Sequence, residues 1–191
     1  MIKKNIKICH ITSVHKRYDN RIFTRECSSL ADLGYEVVLL VNDGIQNEYK
    51  NGVYIKSIQY RKFHNRLERM SLSSKIFYND ALSIDAEIYH LHDPELLPLA
   101  KRLHSAGRKV IFDSHEDVPK QILTKYYIPE YLRFFIAHLY SIYESKVLRI
   151  INGVIVVNPS QMPRIEQFQE NVVMVTNFPS ISEKLWDSEK M

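Results

Sequence analysis

Three short segments combine histidine with carboxylate directly after an apolar run: Thr12-Ser-Val-His-Lys-Arg-Tyr-Asp-Asn-Arg21, His92-Asp-Pro-Glu95 and Asp113-Ser-His-Glu-Asp117. Histidine changes charge near neutral pH, and His, Asp and Glu together are suitable ligands for a cation. If the preceding runs are parallel strands, the three segments are loops at strand carboxyl ends. An open parallel sheet binds its ligands there, so the loops converge on one edge.

Each residue also has a plainer explanation. Asp93 before Pro94 is a good helix N-cap, and capping and site duty both stay open for it. His90 shares a strand face with His92, and a buried histidine satisfied by its neighbours is the favoured reading. His10 and His138 read as core or helix-face residues. His115, flanked by carboxylates after an apolar strand, is harder to explain by packing and is read as functional. Other site types are absent. The loop after the first strand has no glycine, which disfavours a dinucleotide fingerprint. No P-loop, nucleophile elbow or Cys-x-x-Cys pattern occurs.

Those loops need a sheet to hold them. Short β-rich runs alternate with helix-period segments, the pattern of a parallel sheet covered by helices. Strands are expected at Ile6–Ile11, Tyr35–Val41, Val53–Ile58, Glu87–Leu91, Lys109–Phe112, Gly153–Val157 and Val172–Thr176. Between them, helices are expected from Asp19 or Asn20 to about Leu33, from Leu67 to Ser83, from Pro94 to before Gly107, and on both sides of Pro129. A short Pro-bounded helix lies near Pro163. The fold class is therefore α/β: a Rossmann-like, open, mostly parallel, doubly wound sheet of about seven strands.

Bulk properties agree with one globular domain. The 191 residues are 45% hydrophobic and 25% charged, without repeat or low-complexity tract. The net charge of +4 is compatible with phosphorylated ligands or an anionic membrane surface and does not suggest nucleic acid. Cys9 and Cys27 read as buried free thiols suited to a reducing cytoplasm. The amino terminus lacks the long apolar region of a signal peptide. The most apolar window, Tyr131–Ile151, contains Arg133, His138, Glu144, Lys146 and Arg149, too many charges for a spanning helix. Its mix of aromatics and basic residues suits either an interfacial helix or core packing.

With the loops in place, the chain resembles the N-terminal domain of the family 4 retaining glycosyltransferases, which have the two-domain GT-B fold. The resemblance rests on His10-Ile-Thr-Ser-Val-His15 with Asp19-Asn-Arg-Ile22, Ser29-Leu-Ala-Asp-Leu-Gly-Tyr-Glu-Val-Val38, His90-Leu-His-Asp-Pro-Glu-Leu-Leu97 and Phe112-Asp-Ser-His-Glu-Asp117. Gly153-Val-Ile-Val-Val-Asn-Pro-Ser160 and Thr176-Asn-Phe-Pro179 complete it in the expected order. It implies residues 1–179 as an acceptor-side domain and 180–191 as a tail or interdomain connection, with Trp186 docking on the domain or leading out of it. The donor-binding C-terminal domain would be absent, which leaves open a fragment or a natural half-protein. The implied activity is hexosyl transfer with retention, from a UDP- or GDP-sugar to a glycan or lipid-linked acceptor in polysaccharide biosynthesis. No cofactor and no metal are implied, because basic residues and helix N-termini of the other domain neutralise the leaving diphosphate.

By the same resemblance His115 and Glu116 are the catalytic candidates, with His115 at the reacting sugar. Ser13, His15, Arg17, Asp19 and Arg21, with Asp93 and Glu95, would line the acceptor side. The chain departs from the family at the donor-site glutamate pair. Glu87 and Glu95 have its spacing of seven intervening residues, but Pro94 lies between them and they bracket a strand of the wrong domain. The diphosphate-binding basic pair and the glycine-rich first loop also have no counterpart. The chain alone is thus expected to be inactive, in the cytoplasm or at the inner membrane face. Two rivals remain: a metal-dependent hydrolase built on His92, Asp93, His115, Glu116 and Asp117, and a non-catalytic module that binds a glycan or a partner.

Overall fold

The computed structural model describes residues 6–176, without the side chains of residues 66 and 67. The expected tail at 180–191, Trp186 and the Asn177-Phe-Pro179 part of the last motif lie outside the described residues. Strands are β1 (Lys7–Ile11), β2 (Glu36–Val41), β3 (Glu48–Lys50), β4 (Val53–Ser57), β5 (Ile88–Leu91), β6 (Lys109–Ser114), β7 (Gly153–Val156) and β8 (Val172–Met174). They form one eight-stranded sheet in the order β3-β4-β2-β1-β5-β6-β7-β8. Only β3 runs antiparallel to its neighbour; all other pairs are parallel.

The expected α/β class and doubly wound sheet are present, with one more strand than the seven expected. β3 is three residues long with a polar, mostly exposed pattern, so it carries no apolar signal. The Asn51-Gly52 turn, both residues at positive φ, joins it to β4 as a hairpin. β6 also runs two residues past Phe112, because Asp113 and Ser114 pair with Ile155 and Val156 of β7. Asp113 is thereby a strand residue and not a loop residue.

Helices are α1 (Ser28–Asp32), α2 (Arg66–Ile84), α3 (Leu97–Ser105), α4 (Val118–Thr124), α5 (Glu130–Leu148) and α6 (Met162–Ile165). The expected first helix is not α-helical throughout: Asn20–Cys27 is a π-helix that passes into α1. Asp19 caps it, accepting hydrogen bonds from the amides of Arg21 and Ile22. Gly34, at φ +87°, ends α1 in the left-handed conformation that glycine adopts without strain.

Two buried clusters lie on the two faces of the sheet. One gathers Cys9, Ile11, Tyr89, Leu91 and Phe112 with Phe77 of α2, Leu103 of α3 and Val147 of α5. The other sets Val37, Leu39, Val41, Val53 and Ile55 against Ile22, Phe23 and Cys27 of the π-helix. Cys9 and Cys27 are buried free thiols in different clusters. The chain reverses direction across the sheet between β1 and β5, so the topological switch point falls at their carboxyl ends.

Candidate active site

The loops after β1, β5 and β6 meet at that switch point. Between them opens a cavity of about 270 Å³, lined by Val14, His15, His92–Glu95, Phe112–Glu116 and Val118, with Arg69 and Glu144 reaching in from α2 and α5. Five carboxyl groups face it (Asp93, Glu95, Asp113, Glu116, Glu144) against one guanidinium, Arg69. That balance disfavours a phosphate and suits a neutral polyhydroxyl group, whose hydroxyls donate to carboxylates. The volume is below the about 300–1,000 Å³ of a complete small-ligand site, so it fits part of a ligand.

Asp93 organises the first two loops. Its side chain makes no capping bond to the turn of 3-10 helix Pro94–Leu96 that follows. Instead Oδ2 accepts from Thr12 Oγ1 (2.9 Å), from the Ser13 amide and from Ser13 Oγ (3.1 Å). Oδ1 lies 3.2 Å from His15 Nε2. Burial opposes the charge on Asp93, yet the bonds from His15, Ser13 and Thr12 outweigh it and hold its pKa below the usual value. The hydrogen bond to Asp93 raises His15 in turn, with help from Asp19, whose Oδ2 is 3.5 Å from Nδ1.

Asp113, fully buried at the end of β6, organises the third loop. Arg21 grips it through two nitrogens, Nε to Oδ2 at 3.1 Å and Nη2 to Oδ1 at 3.0 Å. His115 Nε2 is 3.2 Å from Asp113 Oδ2, and His92 Nδ1 is 3.4 Å from the same oxygen. Burial is the main reason His115 has a lowered pKa, only partly offset by Asp113. His115 is therefore a neutral imidazole at neutral pH, oriented by a carboxylate and facing the cavity beside His15, with ring centroids 5.5 Å apart.

The sequence-derived residues divide clearly by place. His15, Asp93, Glu95, His115 and Glu116 line the cavity. Glu95 is buried and bound by Arg69 (2.9 Å), whereas Glu116 is exposed. Ser13, Asp19 and Arg21 stand one layer back and hold the lining residues. Arg17 stands apart: it spends its guanidinium on Asp43, Glu48 and the carbonyls of Ile45 and Gln46, tying the first loop to the β2–β3 connection. Glu87 lies at the opposite end of β5 from Glu95, where it accepts from the Lys7 amide. Sequence reasoning missed Arg69 and Glu144, ordinary helix residues by pattern; Glu144 is buried, its pKa raised by burial and opposed by its pairing with Arg164.

Among the described residues, two groups of metal-ligating side chains converge: His10, Glu26, His90 and His92, and separately His92, Asp113 and His115. Neither contains Asp93, Glu116 or Asp117, so the five residues of the hydrolase rival do not share one centre. Asp117 caps α4 and pairs with Lys120.

No protein-family model matches the chain, and no curated protein matches it. Solved structures do. Sucrose-phosphate synthase from Thermosynechococcus elongatus superposes with a TM-score of 0.67 at 13% identity, over 93% of this chain and 49% of that one. LpCGTa in complex with UDP gives 0.62 at 8% identity, over 95% and 56%. The glycotransferase of kitacinnamycin gives 0.53 at 9%, over 93% and 52%. The fold is that of one Rossmann-like half of the GT-B glycosyltransferases. This chain spans about half the length of each of these three structures.

Proposed function

We propose that this chain is the acceptor-side lobe of a retaining glycosyltransferase. It would act on a UDP- or GDP-sugar bound mainly by a second lobe, with a glycan or lipid-linked molecule as acceptor and no cofactor. The observation that supports this most is the switch-point cavity, where neutral His115 and a ring of carboxylates suit sugar hydroxyls and repel phosphate. By the resemblance of Phe112-Asp-Ser-His-Glu-Asp117 to the family, His115 would lie at the reacting sugar; Glu116 is its exposed neighbour on the cavity rim. Asp113 orients His115, and Asp93 with His15 shapes the acceptor side. Transfer needs donor and acceptor enclosed together away from water, so the lobe alone is inactive.

The test is ligand-observed NMR on the purified chain with a panel of saccharides, UDP and GDP, alongside a transfer assay. Saccharide binding without tight nucleotide binding is expected, weakened roughly tenfold in His115→Ala, as one lost hydrogen bond implies. Binding unchanged in that variant would remove His115 from the site. Turnover of a nucleotide-sugar by the chain alone would overturn the claim that it is inactive.

Contact with a membrane surface belongs to the same reading. In the connection between α4 and α5 and on the first turns of α5, Tyr126, Tyr127, Tyr131, Phe134 and Phe135 are all more than half exposed. α5 buries Ala137, Glu144, Val147 and Leu148, so core packing does not account for its amino-terminal aromatics. No described helix is long and apolar enough to cross a membrane. An aromatic face on a stretch that also carries Lys120, Lys125 and Arg133 in sequence suits an anionic interface that presents a lipid-linked acceptor.

A further inference from the structure

Behind the cavity wall lies a second group of side chains, which shares only His92 with the cavity lining. His90 and His92 are two residues apart along the β5 direction and share a face, and His10 is the direct register partner of His90 across the β1–β5 pair. Their face is opposite to that of Tyr89, Leu91, Cys9 and Ile11, and the π-helix Asn20–Cys27 covers it, supplying Glu26. All three histidines are buried.

Glu26 Oε2 is 3.9 Å from His10 Nδ1, 3.9 Å from His90 Nδ1 and 3.8 Å from His92 Nε2. These distances exceed a hydrogen bond. Only one hydrogen bond forms inside the group, His10 Nδ1 to His92 Nε2 at 2.9 Å; Glu26 Oε1 has an ion-pair contact with Arg21, and neither of its buried oxygens accepts a hydrogen bond. Four potential ligand atoms thus converge within 4.8 Å of one another with little to bind. A tetrahedral ion with bonds of about 2.0–2.1 Å separates its ligands by roughly 3.3 Å, between the 2.9 Å of His10 to His92 and the 3.8–3.9 Å from Glu26 to the three histidines.

We propose that Glu26, His10, His90 and His92 form a buried, four-coordinate site for a divalent transition metal, zinc being the best fit to three imidazoles and one carboxylate. With no position left for water or substrate, the site is structural and fastens the π-helix to β1 and β5 beneath the cavity. Glu26 gives up its proton on binding, and the proton shared by His10 and His92 moves to an outer ring nitrogen. The surroundings already have the support such ligands receive. His92 Nδ1 faces Asp113 Oδ2 at 3.4 Å, and Arg21 Nε lies 3.1 Å from Glu26 Oε1. The neighbouring triad His92, Asp113 and His115 is the poorer candidate, because Arg21 already holds Asp113 through both carboxylate oxygens. Burial lowers the pKa of His10 to about 4 and lowers His90 and His92 well below the usual value, so the histidines are neutral at neutral pH. Burial pushes Glu26 up to about 9, so it is the ligand that must lose a proton.

The experiment is chelator treatment of the purified chain, followed by titration with Co(II) and with Zn(II). One Co(II) per chain is expected, with the visible absorption of a four-coordinate centre, and a raised Tm with either ion. His90→Asn and Glu26→Gln should reduce the cobalt signal to background, while His115→Ala keeps it. A folded wild-type chain with neither cobalt absorption nor a Tm shift overturns the proposal. So does a signal that survives in both ligand variants or disappears in His115→Ala, which would move the ion into the cavity. The wild-type titration decides even if a ligand variant fails to fold. It is independent of sugar binding, so this site and the transferase reading fail separately.

Discussion

Asp93 occupies a cap position yet turns its carboxylate back to the β1 loop, where Thr12, Ser13 and His15 surround it. Removing it leaves buried donors without an acceptor. Asp93→Ala is expected to cost about 3 kcal/mol in urea unfolding, and a loss under about 1 kcal/mol would return Asp93 to an ordinary helix start. The pair also sets a pH dependence. His15, raised in the folded state, contributes fully below its unfolded value of about 6.5 and loses that contribution as pH rises through its folded value. Asp93, lowered in the folded state, contributes fully above about 3.9 and loses it as pH falls through its folded value. Stability from the pair should therefore peak between about pH 3.9 and 6.5, and His15→Asn should flatten the upper slope in urea titrations across pH. His115 was legible in the sequence because a titratable residue interrupts the end of an apolar strand. Arg69, Glu144 and Glu26 were not, since a polar residue on a helix looks alike whether it faces solvent or a sheet edge.

Secondary elements were legible in proportion to their apolar content. β1, β2 and β5 announce themselves by buried runs, whereas β3 is a polar edge strand held by a hairpin turn and by Arg17 reaching across to Glu48. The β2–β3 connection depends on Gly44, at φ +70°, where an added Cβ would lie 2.8 Å from Tyr60 Cβ. Gly44→Ala should destabilise the protein by more than about 1 kcal/mol, read as a lowered urea midpoint; an unchanged midpoint would mean that the loop relaxes freely. The helix α5 was ambiguous by sequence because its apolar residues go round the whole barrel, and only the fold separates its buried side from its aromatic one. In the double variant Phe134→Asp with Phe135→Asp, each substitution should change the unfolding free energy from urea titration by no more than about 0.5 kcal/mol, as exposed sites do. Co-sedimentation with anionic liposomes should fall to background in the same variant. Binding by the wild type that is insensitive to anionic lipid content would count against the membrane contact.

At the scale of the molecule, both core clusters share one sheet, so neither can come apart without exposing the other. The domain should unfold in one step, with circular dichroism and tyrosine fluorescence tracing the same urea curve; two separated transitions would show the faces to be independent. The alternation of runs sufficed for the doubly wound class, because each crossover helix must cover a face of the sheet. It put the three polar loops on one edge of the sheet, but which residues touch there depends on strand order. That order places β1 beside β5 and brings residues some eighty positions apart within hydrogen-bond reach, as with Ser13 and Asp93.

The π-helix over Asn20–Cys27 amounts to one surplus residue looped into an otherwise ordinary helix. Thr24 and Phe23 both donate to the Asp19 carbonyl, marking where the extra length is absorbed. The wider turn sets Arg21 and Glu26 on one side, five positions apart, where an α-helix would align positions three or four apart. Deleting Thr24 would leave Arg21 and Glu26 four positions apart, the spacing an ordinary α-helix aligns, so the helix should tighten and keep that pair on one side. The irregularity works like a spacer shim, trading local regularity for alignment between a helix and the sheet beneath it.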